Sequence, residues 1–235
     1  MSNAVTIENL SKSYGKKEVL VDLSFNFPAN RVIGLLGENG IGKTTLLKLL
    51  ADILKPDAGY IRLDGELVSR LTREKVSFLL RAESFYGFMT VQDAIHYYRD
   101  FYRDFDIPRA WQLAEEFGLN PKEKIKKLSS GVKERLCILL CLCRRVPLYV
   151  LDEPVAGLDP KFKHESVKAM LAHIGDEQTV IIASHLLRDL ETIFDEIVIL
   201  RNDSVLQACT DDIRALGKSV EQFYLEAVAV NGDRE

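Results

Sequence analysis

The sequence predicts an α/β fold with a parallel sheet at its centre, and three observations carry that prediction. Val32-Ile33-Gly34-Leu35-Leu36, Leu148-Tyr149-Val150-Leu151 and Thr179-Val180-Ile181-Ile182-Ala183 are short continuous apolar runs, the pattern of strands covered on both faces. The second and third end in polar residues, where an open α/β sheet forms its ligand crevice. The first is followed by a glycine-rich loop and a helix predicted over Thr44 to Ile53.

The remaining elements follow in order. Val21, Leu23, Phe25 and Phe27 alternate with polar or small residues, the period of a half-buried strand, and Pro28-Ala29-Asn30 supplies a turn, so two antiparallel-type strands open the chain. Between Thr90 and Arg145 the pattern changes: Val91, Ala94, Ile95, Tyr98 and Tyr102 recur at helical spacing behind a Thr90-x-x-Asp93 capping box. A second helix is expected to end near Gly118 and a third to start near Gly131, which together read as a helical lobe inserted into the sheet domain. Glu196 to Leu200, a turn at Asn202-Asp203 and Ser204 to Ala208 read as a closing hairpin before a short helical tail. The expected organisation is one domain over 1–235, with catalytic core and β subdomain at about 1–82 and 146–226, helical lobe at about 83–145 and tail at 227–235.

Composition excludes some functions. Of 235 residues, 47% are hydrophobic and 28% charged, as in an ordinary globular protein. Lys and Arg total 31 against 35 Asp and Glu, and a net charge of -4 offers no global attraction to nucleic-acid phosphates or anionic lipid, so no nucleic-acid partner is expected. The longest apolar stretch, Leu136 to Cys143, stops at Arg144-Arg145, far below the roughly 20 residues of a spanning helix. No charged-then-apolar leader precedes Val5, from which a cytoplasmic location is expected. Cys137, Cys141, Cys143 and Cys209 lack paired spacing and read as buried thiols.

Gly37-Glu38-Asn39-Gly40-Ile41-Gly42-Lys43-Thr44 satisfies G-x-x-x-x-G-K-[ST] between a strand and a helix. In that setting backbone N–H groups and the helix start face a phosphate, Lys43 reaches the β- and γ-phosphates and Thr44 ligates Mg²⁺. Asp152 and Glu153 end the second apolar run, suited respectively to hold Mg²⁺ and to polarise the attacking water. His185 ends the third run and would reach the same crevice, within hydrogen-bonding range of the γ-phosphate. Tyr14 suits stacking on adenine, with core packing as its competitor. Leu128-Ser129-Ser130-Gly131-Val132 makes a second anion-binding helix start, of more use to a neighbour's nucleotide in a twofold dimer than to its own, or else is a simple Ser N-cap.

These residues in this order resemble the ATP-binding-cassette family over about Val5 to Glu226. The resemblance implies a RecA-like P-loop NTPase core, Gly37 to Thr45 as the Walker A loop, Ser129 to Val132 as the signature, and Leu148 to Glu153 as Walker B. It also implies Ala156-Gly157-Leu158-Asp159 as the D-loop, His185 as the switch histidine and Tyr14 as the adenine-stacking aromatic. ATP and Mg²⁺ are the implied cofactors. The implied partners are a second cassette, identical or related, and a polytopic membrane transporter subunit that holds the chain at the inner face of the membrane. The single cassette, the short tail and the segment Glu83 to Met89 look most like bacterial exporter cassettes. Phe85, Tyr86, Phe88 and Met89 either form a groove for the membrane subunit's coupling helix or pack within the lobe.

Two departures stand out. Ser130 and Val132 replace a glycine and a glutamine of the usual signature, with Ser129 and Gly131 retained. Arg81 stands where the family's Mg²⁺-ligating glutamine is expected, and a guanidinium cannot ligate a metal. Arg81 turns to the γ-phosphate, swings to an acidic group of the membrane subunit, or leaves the metal position to Glu83; the second is expected. A non-hydrolysing ATP switch is the competing function, made plausible by Arg81 and the altered signature and opposed by Glu153 and His185. A non-transport ATPase of the family is the other alternative, though neither long heptads nor zinc-type Cys pairs are present.

Overall fold

A computed structural model describes residues 2–79, 85–156, 158–173, 175, 177–201 and 204–232. The chain opens with two long strands, β1 (Asn3–Tyr14) and β2 (Lys17–Pro28), paired antiparallel. Their apolar residues share one face, but not by simple alternation. From Leu10↔Leu23 to Lys12↔Leu20, β1 advances two residues and β2 three, which is a bulge at Asp22, whose φ is 48°. Leu20 is therefore buried while Val21, expected inward with Leu23, is 46% exposed. A matching bulge lies at Asn9, φ 49°, where Asn9 Nδ2 donates to Asp22 Oδ1 (2.9 Å) and the Asn9 and Asp22 N–H groups donate to Ser24 and Ser11 Oγ. Polar side chains thus satisfy backbone groups that the ladder leaves free. β4 (Ala58–Leu63) and β5 (Glu66–Leu67) complete this sheet in the order β2-β1-β4-β5.

The second sheet has the order β10-β9-β3-β8-β7-β6. β3 (Val32–Leu36), β8 (Thr179–Ala183), β7 (Leu148–Asp152), β6 (Val76–Phe78) and β9 (Glu196–Leu200) run parallel, and β10 (Val205–Cys209) turns back antiparallel to β9. The expected closing hairpin is present, and its turn at Asn202-Asp203 lies outside the described residues. Along β7, Leu148 and Val150 join a core shared with the antiparallel sheet, while Tyr149 and Leu151 join a second core under the helices. Burial on both faces accounts for the uninterrupted apolar runs.

Eight α-helices lie among the described residues: α1 (Lys43–Leu50), α2 (Val91–Phe101), α3 (Ile107–Glu116), α4 (Ser130–Leu142), α5 (Pro160–His173), α6 (Leu187–Leu190), α7 (Thr210–Ala215) and α8 (Val220–Gly232). α1 ends three residues before the expected Ile53, because Asp52 takes a left-handed φ of 55° and turns its buried carboxylate to Lys55 and Arg73. The Thr90–Asp93 capping box opens α2 as expected, and Asp106 caps α3. α4 shows no narrow apolar stripe, since Arg135 to Leu142 are all buried. Cys137, Cys141 and Cys143 are buried as expected, and Cys209 is half-buried on β10. Burial pushes the Cys141 and Cys143 thiols up to about 12, which makes them inert packing groups.

The end of α4 is tied to the edge of the parallel sheet by Arg144. Its Nη1 donates to Val76 O (2.7 Å), its Nη2 to Glu74 O (2.6 Å), and its fork holds the Asp104 carboxylate at 3.0–3.2 Å. The guanidinium also lies 3.9 Å from the Tyr102 ring centroid; the arginine side chain itself is buried, while Asp104 and Tyr102 are half-buried. Replacing Arg144 by Met should therefore destabilise the fold by about 2–3 kcal/mol, through the orphaned carbonyls and carboxylate. Lys should recover little of the loss, because an ammonium has neither the fork nor the plane. Urea unfolding midpoints of the two variants check both statements.

Candidate active site

The turn from β3 into α1 is shaped by glycines where nothing larger fits. Gly42, the N-cap of α1, has φ 111°, and a Cβ there would lie 2.6 Å from Leu20 Cδ2 and 3.1 Å from Val19 O. At Gly37, φ 148°, a Cβ would meet Leu200 O at 2.9 Å. Asn39 and Gly40 form the exposed crest of the loop. Because Gly42 offers no capping side chain, the first N–H groups of α1 have no side-chain partner and suit an anion.

Lys43 and Thr44 begin α1 and point into this turn. The buried Lys43 ammonium donates to Gly37 O (2.6 Å) and Glu38 O (2.9 Å). Burial holds its pKa below the ordinary lysine range, and Glu153 and then Asp152 partly oppose that shift, so both acids lie within electrostatic reach. Thr44 Oγ1 donates to Asp152 Oδ2 at 2.8 Å, and Thr45 is buried behind it.

β7 and β8 pair in parallel register, Asp152 opposite Ala183, which sets the acids beside the end of β8. Glu153 has φ 52°, a left-handed conformation that costs a non-glycine residue about 1–2 kcal/mol. Its N–H donates to Ala183 O (2.8 Å). Its carboxylate accepts from the Ser184 hydroxyl (3.1 Å) and the His185 N–H (3.1 Å), and faces His185 Nδ1 at 2.9 Å. Sequence reading brought Glu153 and His185 to one crevice but gave Ser184 no role; its signal was a hydroxyl closing an all-apolar strand.

The structure thus joins Thr44 to Asp152 and Glu153 to His185, with Lys43 beside both acids. The other predicted residues stand on other elements. Tyr14 ends β1 opposite Lys17 and is 50% exposed, so its ring is not core. Ser129 caps α4, accepting from the Val132 N–H at 3.4 Å, and Gly131 lies in the same first turn. Val132 packs partly buried on the lobe core, which suits an apolar residue where the family has glutamine. Asp159 precedes α5 and accepts from the Phe162 N–H (3.3 Å). Arg81, Glu83 and Gly157 lie outside the described residues.

Among the described residues no group of three or more His, Cys, Asp or Glu could cage a metal. The Thr44 hydroxyl and Asp152 carboxylate, 2.8 Å apart, are hard oxygen donors of the kind Mg²⁺ shares with substrate phosphates and water. Among the described residues no helix is long and apolar enough to cross a membrane.

Comparison with known proteins bears on the family and the fold. Residues 20–156 match the family model of the ABC transporter. The chain is 30% identical over 204 residues to the ABC transporter ATP-binding protein YtrB of Bacillus subtilis, covering 86% of this chain and 70% of that protein. It is 33% identical over 204 residues to the Nod factor export ATP-binding protein I of Burkholderia orbicola, covering 83% and 67% respectively. A solved ATP binding subunit of an ABC transporter superposes with a TM-score of 0.85 at 26% identity, over 95% of this chain and 98% of that one. The fold is held in common with that solved subunit, and the chain belongs to the ABC transporter family as an ATP-binding, ATP-hydrolysing subunit.

Proposed function

We propose that ATP is bound and hydrolysed by the residues gathered at the carboxyl ends of β3, β7 and β8, within a sandwich of two cassettes that drives a membrane subunit in export. The observation that carries this reading is the adjacency of two hydrogen-bonded pairs, Thr44 with Asp152 and Glu153 with His185, around the Lys43 ammonium. The first pair supplies metal ligands and the second a general base with its orienting partner.

In this reading the α1 N-terminus and Lys43 hold the β- and γ-phosphates, Gly37, Asn39, Gly40, Gly42 and Thr45 shape the loop around them, and Tyr14 stacks on adenine. Thr44 and Asp152 would hold Mg²⁺, which neutralises charge on the phosphate oxygens when bound. Glu153 takes a proton from the attacking water. Ser184 and the His185 N–H fix its carboxylate, and His185 Nδ1 donates to it, so a contact from Nε2 to the γ-phosphate requires a second proton on the ring. Ser129, Gly131 and Asp159 complete the site of the partner cassette.

The same reading places the chain on the cytoplasmic face of a membrane through a polytopic subunit. Tyr86 and Phe88 support it: their rings stack 5.4 Å apart and are 69% and 71% exposed, while Phe85 and Met89 pack against the lobe. Export is supported by the relative named for Nod factor export.

Glu153→Gln should slow hydrolysis by about 10²–10⁴-fold while retaining ATP, and should form an ATP-dependent dimer visible by size exclusion without Mg²⁺. A purely monomeric variant at high concentration counts against the sandwich. Lys43→Ala should stay folded and bind ATP about tenfold more weakly or worse, as charge-assisted bonds of about 1.5–3 kcal/mol are lost. Unchanged affinity by calorimetry sinks the phosphate-loop assignment. Ser129→Arg, introduced beside Glu153→Gln, should block the dimer and spare binding to the monomer.

A further inference from the structure

Arg135 stands on α4 one turn beyond Gly131 and is buried, although the site described above makes no use of it. Its guanidinium touches three elements. Nη1 donates to Phe117 O at the end of α3, and Nε lies 3.4 Å from Gly131 O. Its Cζ lies 3.7 Å from the centroid of the Phe162 ring. Phe162 is the third residue of α5, and its N–H donates to Asp159 Oδ1. A continuous chain of contacts therefore runs from the Ser129–Gly131 turn through Arg135 and Phe162 to Asp159.

We infer that Arg135 and Phe162 are positioning residues that lock the Ser129–Gly131 turn to the Asp159 turn, so that the two segments meet the partner cassette in one fixed register. The inference rests on the reading that both segments serve the partner's nucleotide. It deepens that reading by naming what holds them together across the boundary between lobe and core. A planar cation on an aromatic face holds both distance and tilt, which packing of an aliphatic chain does not. Burial lowers the guanidinium pKa below the ordinary arginine range and the Asp159 and Glu165 carboxylates partly oppose that shift; an arginine keeps its charge in a protein, so the group remains a cation. Neither side chain belongs to the Lys43, Thr44 and Asp152 group, so their contact bears on pairing of cassettes and not on nucleotide capture by one of them.

The test compares Phe162→Leu, which removes the aromatic face, with Phe162→Tyr, which keeps it, and with Arg135→Lys, which keeps charge and loses the plane. ATP affinity of the monomer is measured by calorimetry and hydrolysis as a function of ATP concentration. Dimerisation in ATP is followed in the Glu153→Gln background. Phe162→Leu and Arg135→Lys should each lower kcat about tenfold and lower the Hill coefficient, with KM and monomer affinity within about twofold of the parent; Phe162→Tyr should restore kcat. The Arg135→Lys arm keeps the test decisive if Phe162→Leu fails to fold. Equal loss in Phe162→Leu and Phe162→Tyr, or loss of monomer affinity in step with kcat, overturns the inference in favour of simple packing. If Glu153→Gln dimerises and Glu153→Gln with Phe162→Leu dimerises as well, this inference alone fails. If Glu153→Gln does not dimerise, the sandwich reading fails and takes the inference with it.

Discussion

Because Val180 and Ile182 of β8 face the helices while Ile181 and Ala183 face α1 and the antiparallel sheet, that strand has no wet side on which to carry a polar group. The same holds for β7. Chemistry is confined to the strand ends, and parallel pairing brings those ends to one edge. The order β3-β8-β7 then does the assembly: the strand that leads to Ser184 and His185 lies between the one feeding the glycine-rich loop and the one delivering Asp152 and Glu153. Residues more than a hundred positions apart, such as Thr44 and Asp152, come into hydrogen-bond contact through strand order alone.

What was legible in the sequence was what is local. The apolar runs, the capping box at Thr90 and the glycine spacing from Gly37 to Gly42 each depend on a few neighbouring residues, and each is found where expected. The bulges at Asn9 and Asp22 were not legible, because an extra residue in one strand exists only relative to its partner. For the same reason Val21 was set on the wrong face. The early end of α1 depends on Asp52 finding Arg73, which the helical pattern of Thr44 to Ile53 does not contain. In the site, the residue types were legible and their contacts were not: the Ser184 hydroxyl on Glu153 is visible once β7 and β8 are paired.

Two arginines, one on α4 and one just past its end, illustrate the long-range part. Arg144 fastens the end of the helix to the edge of the sheet, and Arg135 joins its beginning to α3 and α5. In sequence both are cations in or beside an apolar run, indistinguishable from residues that mark its solvent boundary. Burial with carbonyl and aromatic partners turns them into connectors, and both use the planar guanidinium in a way lysine does not reproduce.

The left-handed backbone at Glu153 has a consequence for how such a chain changes over generations. Glutamate has no folding preference for that conformation, which favours Gly, Asn and Asp; what this side chain adds is a carboxylate that accepts from Ser184 and the His185 N–H. On the proposed role of Glu153, stability and turnover pull in opposite directions at this position. If Glu153 is the base proposed above, a copy relieved of the need to split ATP would gain stability by drifting to glycine or asparagine at φ 52°.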